Sequence, residues 1–274
     1  MSTTTEAGRD WGGHHTTIRV TRTEGGICEI TLHRPEVSNA LNTQMARELL
    51  EVFDQLNAEP ERARVVLLTG AGERAFCAGG DLKQRLGMTD EEWQAQHLVF
   101  ERMVRAILLA PMPLIAAVNG AAYGGGCEFV LLADFAYAAE HARFALTEVT
   151  LGIMPGAGGT QTLPRAVGPR RAKEILFTGR PFTAAEALEW GLVNRVCPGP
   201  TLLEEARATA RTIAANAPLS TRQIKQSVNV GAAMDLGAAL MLEIEAYNRL
   251  VPTADRREGI RAFNEKRRPV FTGR

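Results

Sequence analysis

Residues Pro113–Phe135 read PLIAAVNGAAYGGGCEFVLLADF, and the order of residue types in this stretch decides what fold the chain can have. Pro113 to Gly120 is an apolar run closed by glycine, too short for a helix and without the alternation of a half-solvated strand. Such a run fits a strand covered on both faces, as in parallel sheets. Gly124, Gly125 and Gly126 then make a turn, and an apolar helix follows toward Asp134. Glycines leave the backbone of the turn uncovered, so the Gly125 amide would stand at the positive end of that helix. Glu128 comes three residues later, at a spacing that shares a helix face with the amide. A carboxylate there either offsets the helix dipole at a solvated end or handles protons beside a ligand held by the amide. The apolar FVLLA that follows makes a fully solvated site costly.

The same pattern recurs on either side. RVVLLTG, Arg64–Gly70, is a second apolar strand, and AFCAGGDLK, Ala75–Lys83, a second small-residue turn. That turn is either a tight bend or another place where backbone amides face a ligand. Downstream, FALTEVTLGIMPGAGGTQ carries Glu148, 148 − 128 = 20 residues after Glu128 and again just ahead of glycines. One strand and one loop bring the chain back to the same sheet edge. Two carboxylates beside preorganised amides form a set able to move protons next to a polarised carbonyl; otherwise Glu148 is an ordinary loop carboxylate. GGGCEF and GAGGTQ lack the last glycine of GxGxxG, no glycine loop ends in Gly-Lys-Ser/Thr, and GxSxG is absent. Dinucleotide, P-loop and serine-hydrolase readings are therefore unsupported.

Toward the N-terminus, TIRVTRTEGGICEITL, Thr17–Leu32, reads as a hairpin around Glu24-Gly25-Gly26. Asn42 is placed to cap a helix with Met45, Leu49, Val52, Phe53 and Leu56 on one face, stopping before Pro60. The segment between the two apolar strands is helical, restarting at Met88-Thr89-Asp90 and burying Met103 and Ile107. After Phe135 come strand-like FAYAA, a loop, RFAL, the glycine-rich GIMPGAGGTQTLPRAVG and a further helix, then TAAE, Thr183–Glu186, with capping-box spacing closed by Gly191. Strand and helix thus alternate about three times. From Thr201 on, helices are expected at 201–216, 218–230, 235–250 and 253–267. The expected architecture is α/β, with a flexible tail over 1–16, a core over 17–200 and an all-helical region over 201–274.

Composition narrows the partners. The 274 residues are 45% hydrophobic and 23% charged, with 31 basic against 31 acidic residues and so no net charge. That is a globular composition with nothing to attract a polyanion, and no nucleic-acid partner is expected. Cys28, Cys77, Cys127 and Cys197 form no CxxC pair, and His14, His15, His33, His97 and His141 are scattered, so no metal site emerges. The start MSTTTEAGRDWGGHH is unlike a signal peptide, and no apolar run approaches the ~20 residues of a membrane span. The expectation is a cytoplasmic protein without a membrane partner.

Taken in order, HRPEVSNALN, AFCAGGDLK, PLIAAVNGAAYGGGCEFVLLADF, LTEVTLGIMPGAGGTQTLPRAVG and TGRPFTAAEALEWGLVNRV resemble the successive signatures of the crotonase, or enoyl-CoA hydratase/isomerase, superfamily. The resemblance implies a spiral of ββα units with a helical C-terminal region used in trimerisation, commonly as a dimer of trimers. It implies an acyl-CoA substrate, coenzyme A being part of the substrate, with no cofactor and no metal. The thioester oxygen would be held by the backbone amides of Gly80 and Gly125; many relatives carry alanine at the first. Glu128 and Glu148 match the catalytic glutamates of hydratases, which implies hydration of a 2-enoyl-CoA to a 3-hydroxyacyl-CoA.

Arg34 and Lys83 match positions near the coenzyme A phosphates, and Ala78 a position walling the adenine. Phe263 and Lys266 match C-terminal positions that reach a neighbouring subunit's ligand. DLKQRLGM and the C-terminal TADRREGIRAFNEKRRPVF look closer to the methylglutaconyl-CoA hydratase-like branch, whose substrate carboxylate would want an arginine that the sequence does not single out. A Δ3,Δ2-enoyl-CoA isomerase and a non-catalytic acyl-CoA-binding protein are the alternatives.

Overall fold

The computed structural model describes residues 14–23 and 25–274; residues 1–13 of the expected tail, and Glu24 of the hairpin turn, lie outside the described residues. The hairpin forms as expected: β1 (Ile18–Thr23) and β2 (Ile27–Leu32) run antiparallel with Ile18 opposite Leu32. In α1 (Thr43–Ala58) the Asn42 side chain accepts from the Met45 amide at 2.8 Å, and Met45, Leu49, Val52, Phe53 and Leu56 are buried.

The body of the chain repeats one unit. β3 (Val65–Gly70) is followed by β4 (Ala75–Cys77) and then by α2 (Leu82–Arg85) and α3 (Asp90–Leu109). β5 (Leu114–Val118) is followed by β6 (Ala121–Tyr123) and α4 (Gly125–Leu132). β7 (Phe135–Ala139) is followed by β8 (Arg143–Ala145), a single turn over Glu148–Leu151, and α5 (Gly159–Val167). The first strand of each unit joins one sheet and the second joins another. Residue patterns alone read as strand then helix, whereas the unit is strand, strand, helix. The second strands span three residues each, below the length at which periodicity registers.

After α6 (Pro169–Thr178), β9 (Phe182–Thr183), α7 (Ala184–Glu189) and β10 (Arg195–Cys197), the sheets are complete. The six-stranded sheet has the order β1-β2-β3-β5-β7-β10, parallel from β2 onward, and the four-stranded sheet the order β4-β6-β8-β9. Every residue of β3 and β5 is buried, as strands covered on both faces must be. α4 packs against β4 and β6 as well as β5 and β7, wedged between the two sheets.

The helical region follows as α8 (Leu202–Ala214), α9 (Pro218–Gly231), α10 (Leu236–Leu250) and α11 (Ala254–Asn264). α8 buries Leu202, Ala206, Ala210 and Ala214, a four-residue repeat of mostly small side chains that brings it against β2, β3, β5, β7 and β10. α9 and α10 pack on each other and leave Ile224, Val228, Met241, Ile244 and Tyr247 exposed. Among the described residues no helix is long and apolar enough to cross a membrane.

The chain's entry into the fold is held by one buried carboxylate. Glu48, on α1, accepts from the backbone amides of Thr16, Thr17 and Ile18 at 2.8, 2.9 and 3.2 Å, and from both threonine hydroxyls. Thr16, within the expected tail, is therefore tied down. Burial alone would raise the Glu48 pKa, but these hydrogen bonds outweigh it and hold the group at about 2. A carboxylate depressed in the folded state stabilises the fold above its unfolded pKa and loses that contribution as pH falls toward 2. Glu48→Gln should cost on the order of 3 kcal/mol at pH 7 in urea unfolding. The deficit should shrink steadily between about pH 4.5 and 2, and a deficit independent of pH would contradict it.

Candidate active site

Two strand-to-helix turns meet at one end of the sheets. β4 delivers Ala78-Gly79-Gly80 and β6 delivers Gly124-Gly125. Leu41 forms a parallel bridge with Gly80, its amide donating to the Gly79 carbonyl at 2.8 Å and its carbonyl accepting from the Asp81 amide at 2.9 Å. These bonds flank Gly80, so its own N–H points to the other side. Gly125 is the first residue of α4, and its N–H has no acceptor within the helix.

Backbone contact fixes the two turns relative to each other. Gly79 has φ +89°, and a β-carbon there would stand 2.7 Å from the Tyr123 carbonyl oxygen and 3.3 Å from the Gly125 nitrogen. No other residue fits. Gly80 differs: its φ is not in the left-handed region, and a β-carbon would meet nothing closer than the Arg85 guanidinium at 3.4 Å.

Both predicted carboxylates face this place. Glu128 is 2% exposed, and its Oε1 accepts from the Ala157 and Gly159 amides at 2.8 and 2.7 Å. Its Oε2 has no donor among the described residues, so the carboxylate is oriented but not saturated. Glu148 is 9% exposed; its Oε1 lies 3.0 Å from where a Gly124 β-carbon would stand, and its buried Oε2 has no hydrogen-bond partner. Burial pushes Glu128 up to about 7 against the Gly159 and Ala157 amides, and the neighbouring Glu148 charge raises it further. Burial raises Glu148 as well. Near neutral pH Glu128 is thus ready either to hold or to release a proton.

The predicted coenzyme A positions are only partly gathered here. Arg34, Ala78 and Lys83 all lie at the Gly79–Gly80 turn, Ala78 and Lys83 exposed. Arg34 is already engaged: its Nη1 donates to the Ala40 carbonyl at 2.6 Å and to Asp81 Oδ2 at 2.9 Å, which steadies the cap of α2. Phe263 is 84% exposed at the end of α11 and Lys266 sits just beyond with φ +55°. No hydrogen bond or ring contact joins them to the glycine turns among the described residues.

Sequence reasoning missed two supporting residues. Asn39 is fully buried with φ +54°; its side chain donates to the Ala71 and Ala75 carbonyls and accepts from the Arg34 amide, tying the His33–Asn42 segment beneath the turn. Asp81 caps α2, accepting from the Lys83 and Gln84 amides. Asn-Ala and Gly-Asp dipeptides are turn signals, but nothing local says which turn they serve.

The comparisons with known proteins span nearly the whole described chain. The family model for enoyl-CoA hydratase/isomerase matches residues 22–274. The short-chain-enoyl-CoA hydratase of Clostridium acetobutylicum is 40% identical over 245 residues, covering 89% of this chain and 94% of that protein. The human mitochondrial enoyl-CoA hydratase domain-containing protein 2 is 40% identical over 253 residues, covering 91% and 86%. The crystal structure of an enoyl-CoA hydratase from Bacillus anthracis superposes with a TM-score of 0.92 at 44% identity, covering 94% of this chain and all of that one.

Two expectations follow from the geometry. Gly80→Ala should fold and keep its turn, whereas Gly79→Ala should drive the two turns apart and lower the melting temperature by several degrees. Equal melting temperatures would show that the turns are not in forced contact. Glu128 is raised in the folded state, so its ionisation opposes folding above the unfolded pKa of about 4.5, increasingly up to its folded value near 7. Glu128→Gln should therefore be more stable than wild type at pH 8, by at most about 3 kcal/mol, with the difference vanishing toward pH 4.5.

Proposed function

The chain belongs to the enoyl-CoA hydratase/isomerase family, and from that premise we propose that it is an enoyl-CoA hydratase, adding water across the 2,3-double bond of a 2-enoyl-CoA to give a 3-hydroxyacyl-CoA. The observation that carries this reading is the pair of buried carboxylates, each with an oxygen free of donors among the described residues, beside the amides of Gly80 and Gly125, which have no acceptor among those residues. Isomerisation needs one base to carry a proton between carbons. Hydration needs a base for water and an acid for carbon, and two carboxylates supply both.

In this mechanism the two amides donate to the thioester oxygen and stabilise the negative charge that gathers there in the transition state; removing one such donor costs about 3 kcal/mol. Ionised Glu128 takes a proton from water as the water oxygen bonds to C3. The C2–C3 double bond closes onto C2, which takes its proton from the Glu148 carboxyl. The proton gained by Glu128 then returns to Glu148 through exchange with water. The raised pKa of both groups supports a pair that holds one proton between them near neutral pH. Protons alone balance this reaction, so the reading requires no cofactor beyond the coenzyme A of the substrate.

Assembly enters as part of the same reading. The exposed apolar residues of α9 and α10 support a homotrimer or a dimer of trimers, in which Phe263 and Lys266 would reach the nucleotide of a neighbouring subunit's ligand and Arg34, Ala78 and Lys83 its own.

Hydration is followed by the loss of 2-enoyl thioester absorbance. Glu148→Gln should lower kcat by about a thousandfold. Unchanged turnover in Glu148→Gln sinks the mechanism. Faster conversion of a 3-enoyl-CoA than hydration of the 2-enoyl isomer assigns the chain to isomerisation, and coenzyme A thioester binding without turnover assigns it to binding alone.

A further inference from the structure

The loop that cradles Glu128 has little of its own to hold it. Met154, Pro155, Gly156 and Ala157 make no backbone-to-backbone hydrogen bond among the described residues, and the Ala157 and Gly159 amides both go to the carboxylate. Glu128 thus takes its orientation from a segment whose own place must come from packing. On the inner side Pro155 and Ala157 are buried, and a β-carbon on Gly159 would stand 3.0 Å from both the Pro155 Cβ and Glu128 Oε1. The outer side is met by a residue from another helix.

That residue is His97, on α3. Its ring Cε1 stands 2.8 Å from where a Gly156 β-carbon would be, with Nε2 at 3.6 Å and Nδ1 at 3.8 Å, so the ring edge rests on the main chain one residue ahead of the Ala157 amide. The φ of Gly156 is not in the left-handed region, and what its missing side chain provides is room for the ring. The helix behind the ring is fixed. Gln96, buried, donates to Thr43 Oγ1 and Gln84 Oε1 at 2.8 and 2.9 Å, and Phe100 and Met103 are buried in the core. Glu101 Oε1 lies 3.5 Å from His97 Nε2, but the His97 and Glu101 side chains are 36% and 54% exposed, and an ion pair so open to water contributes little. The shape of the ring, rather than its charge, is what reaches the loop.

Resting on the hydratase reading of the site, we propose that His97 is a positioning residue: its ring braces the 155–159 loop from outside and keeps the Ala157 and Gly159 amides on one oxygen of Glu128, leaving the other to take a proton from water. Two consequences separate such a brace from a surface side chain. The two amides hold Glu128 below the value that burial and the Glu148 charge would give it, and the loop itself brings no titratable side chain. Loosening the loop therefore raises the pKa of the base, and a base that must be ionised then acts only at higher pH. The amides that receive the thioester belong to the Gly80 and Gly125 turns, so substrate affinity stays as it was.

The test is kcat and KM for a 2-enoyl-CoA measured across pH. The His97 side chain is partly exposed, so its truncation leaves the core intact. His97→Ala should lower kcat about tenfold with KM unchanged, and should raise the midpoint of the acid limb of kcat/KM by about one unit. His97→Phe, a ring without charge, should restore most of both. A midpoint in His97→Ala that stays or falls overturns the proposal, a fall being the sign of a ring that only excludes water. So does a His97→Phe protein that behaves as His97→Ala, the pattern of a charge effect, or a rise in KM at constant kcat, the pattern of a substrate contact. Urea unfolding at pH 8 tests the brace whatever reaction the site performs: Glu128→Gln should stabilise the His97→Ala protein more than it stabilises wild type. Absence of 2-enoyl-CoA hydration by wild type overturns the hydratase reading; a wider stabilisation gap then upholds the brace, and an equal one overturns it.

Discussion

The molecule depends on backbone meeting backbone where β4 and β6, neighbours in the second sheet, end and lead toward the helices that follow them. A β-carbon on Gly126 would collide with the Cys77 carbonyl, and one on Gly79 would sit 2.7 Å from the carbonyl of Tyr123. Side chains are therefore absent along this seam, and the two turns approach as closely as main chains can. Everything else serves that approach: α4 wedged between the sheets, Leu41 bridging Gly80, Asn39 and Arg34 bracing the segment beneath. Two N–H groups from distant parts of the chain can converge on one atom only if nothing bulky stands between them.

The same seam explains how the acidic residues tolerate burial. Glu128 follows a glycine helix start and takes two amides of a returning loop, enough to orient one oxygen but too few to keep its pKa in the ordinary carboxylate range. Glu148 is left with one oxygen unpartnered. Compare Glu48, which receives five hydrogen bonds from Thr16, Thr17 and Ile18 and sits at about 2. Burial is shared by all three. The number of donors separates a carboxylate held ionised from two whose pKa is raised.

Local sequence made the long elements legible. The apolar strands, the Asn42 cap, the restart at Thr89 and the helices after Thr201 all form close to where their residues indicate. Glu128 and Glu148 were legible as suspicious carboxylates near glycines, and the ordered motifs made them a pair. What stayed hidden was short or distant. β4, β6 and β8 are three residues long and draw their stability from neighbours in the sheet, so their own composition says little. Asn39 and Asp81 stayed hidden for the same reason: the carbonyls and amides they hold belong to segments that only the fold brings beside them.

The clamp formed by Glu48 also sets where the chain can be cut or extended. Beside Gln44 on the same helix, its donors belong to Thr16, Thr17 and Ile18, immediately before and within the first strand. A tag or fusion partner joined ahead of Thr16 leaves every one of those bonds in place. A protein shortened past Ile18 keeps the carboxylate buried with Gln44 alone to answer it, converting the anchor of the hairpin into a poorly satisfied charge. The N-terminal limit of the independently folding unit is thus defined by α1, a helix that begins at Thr43.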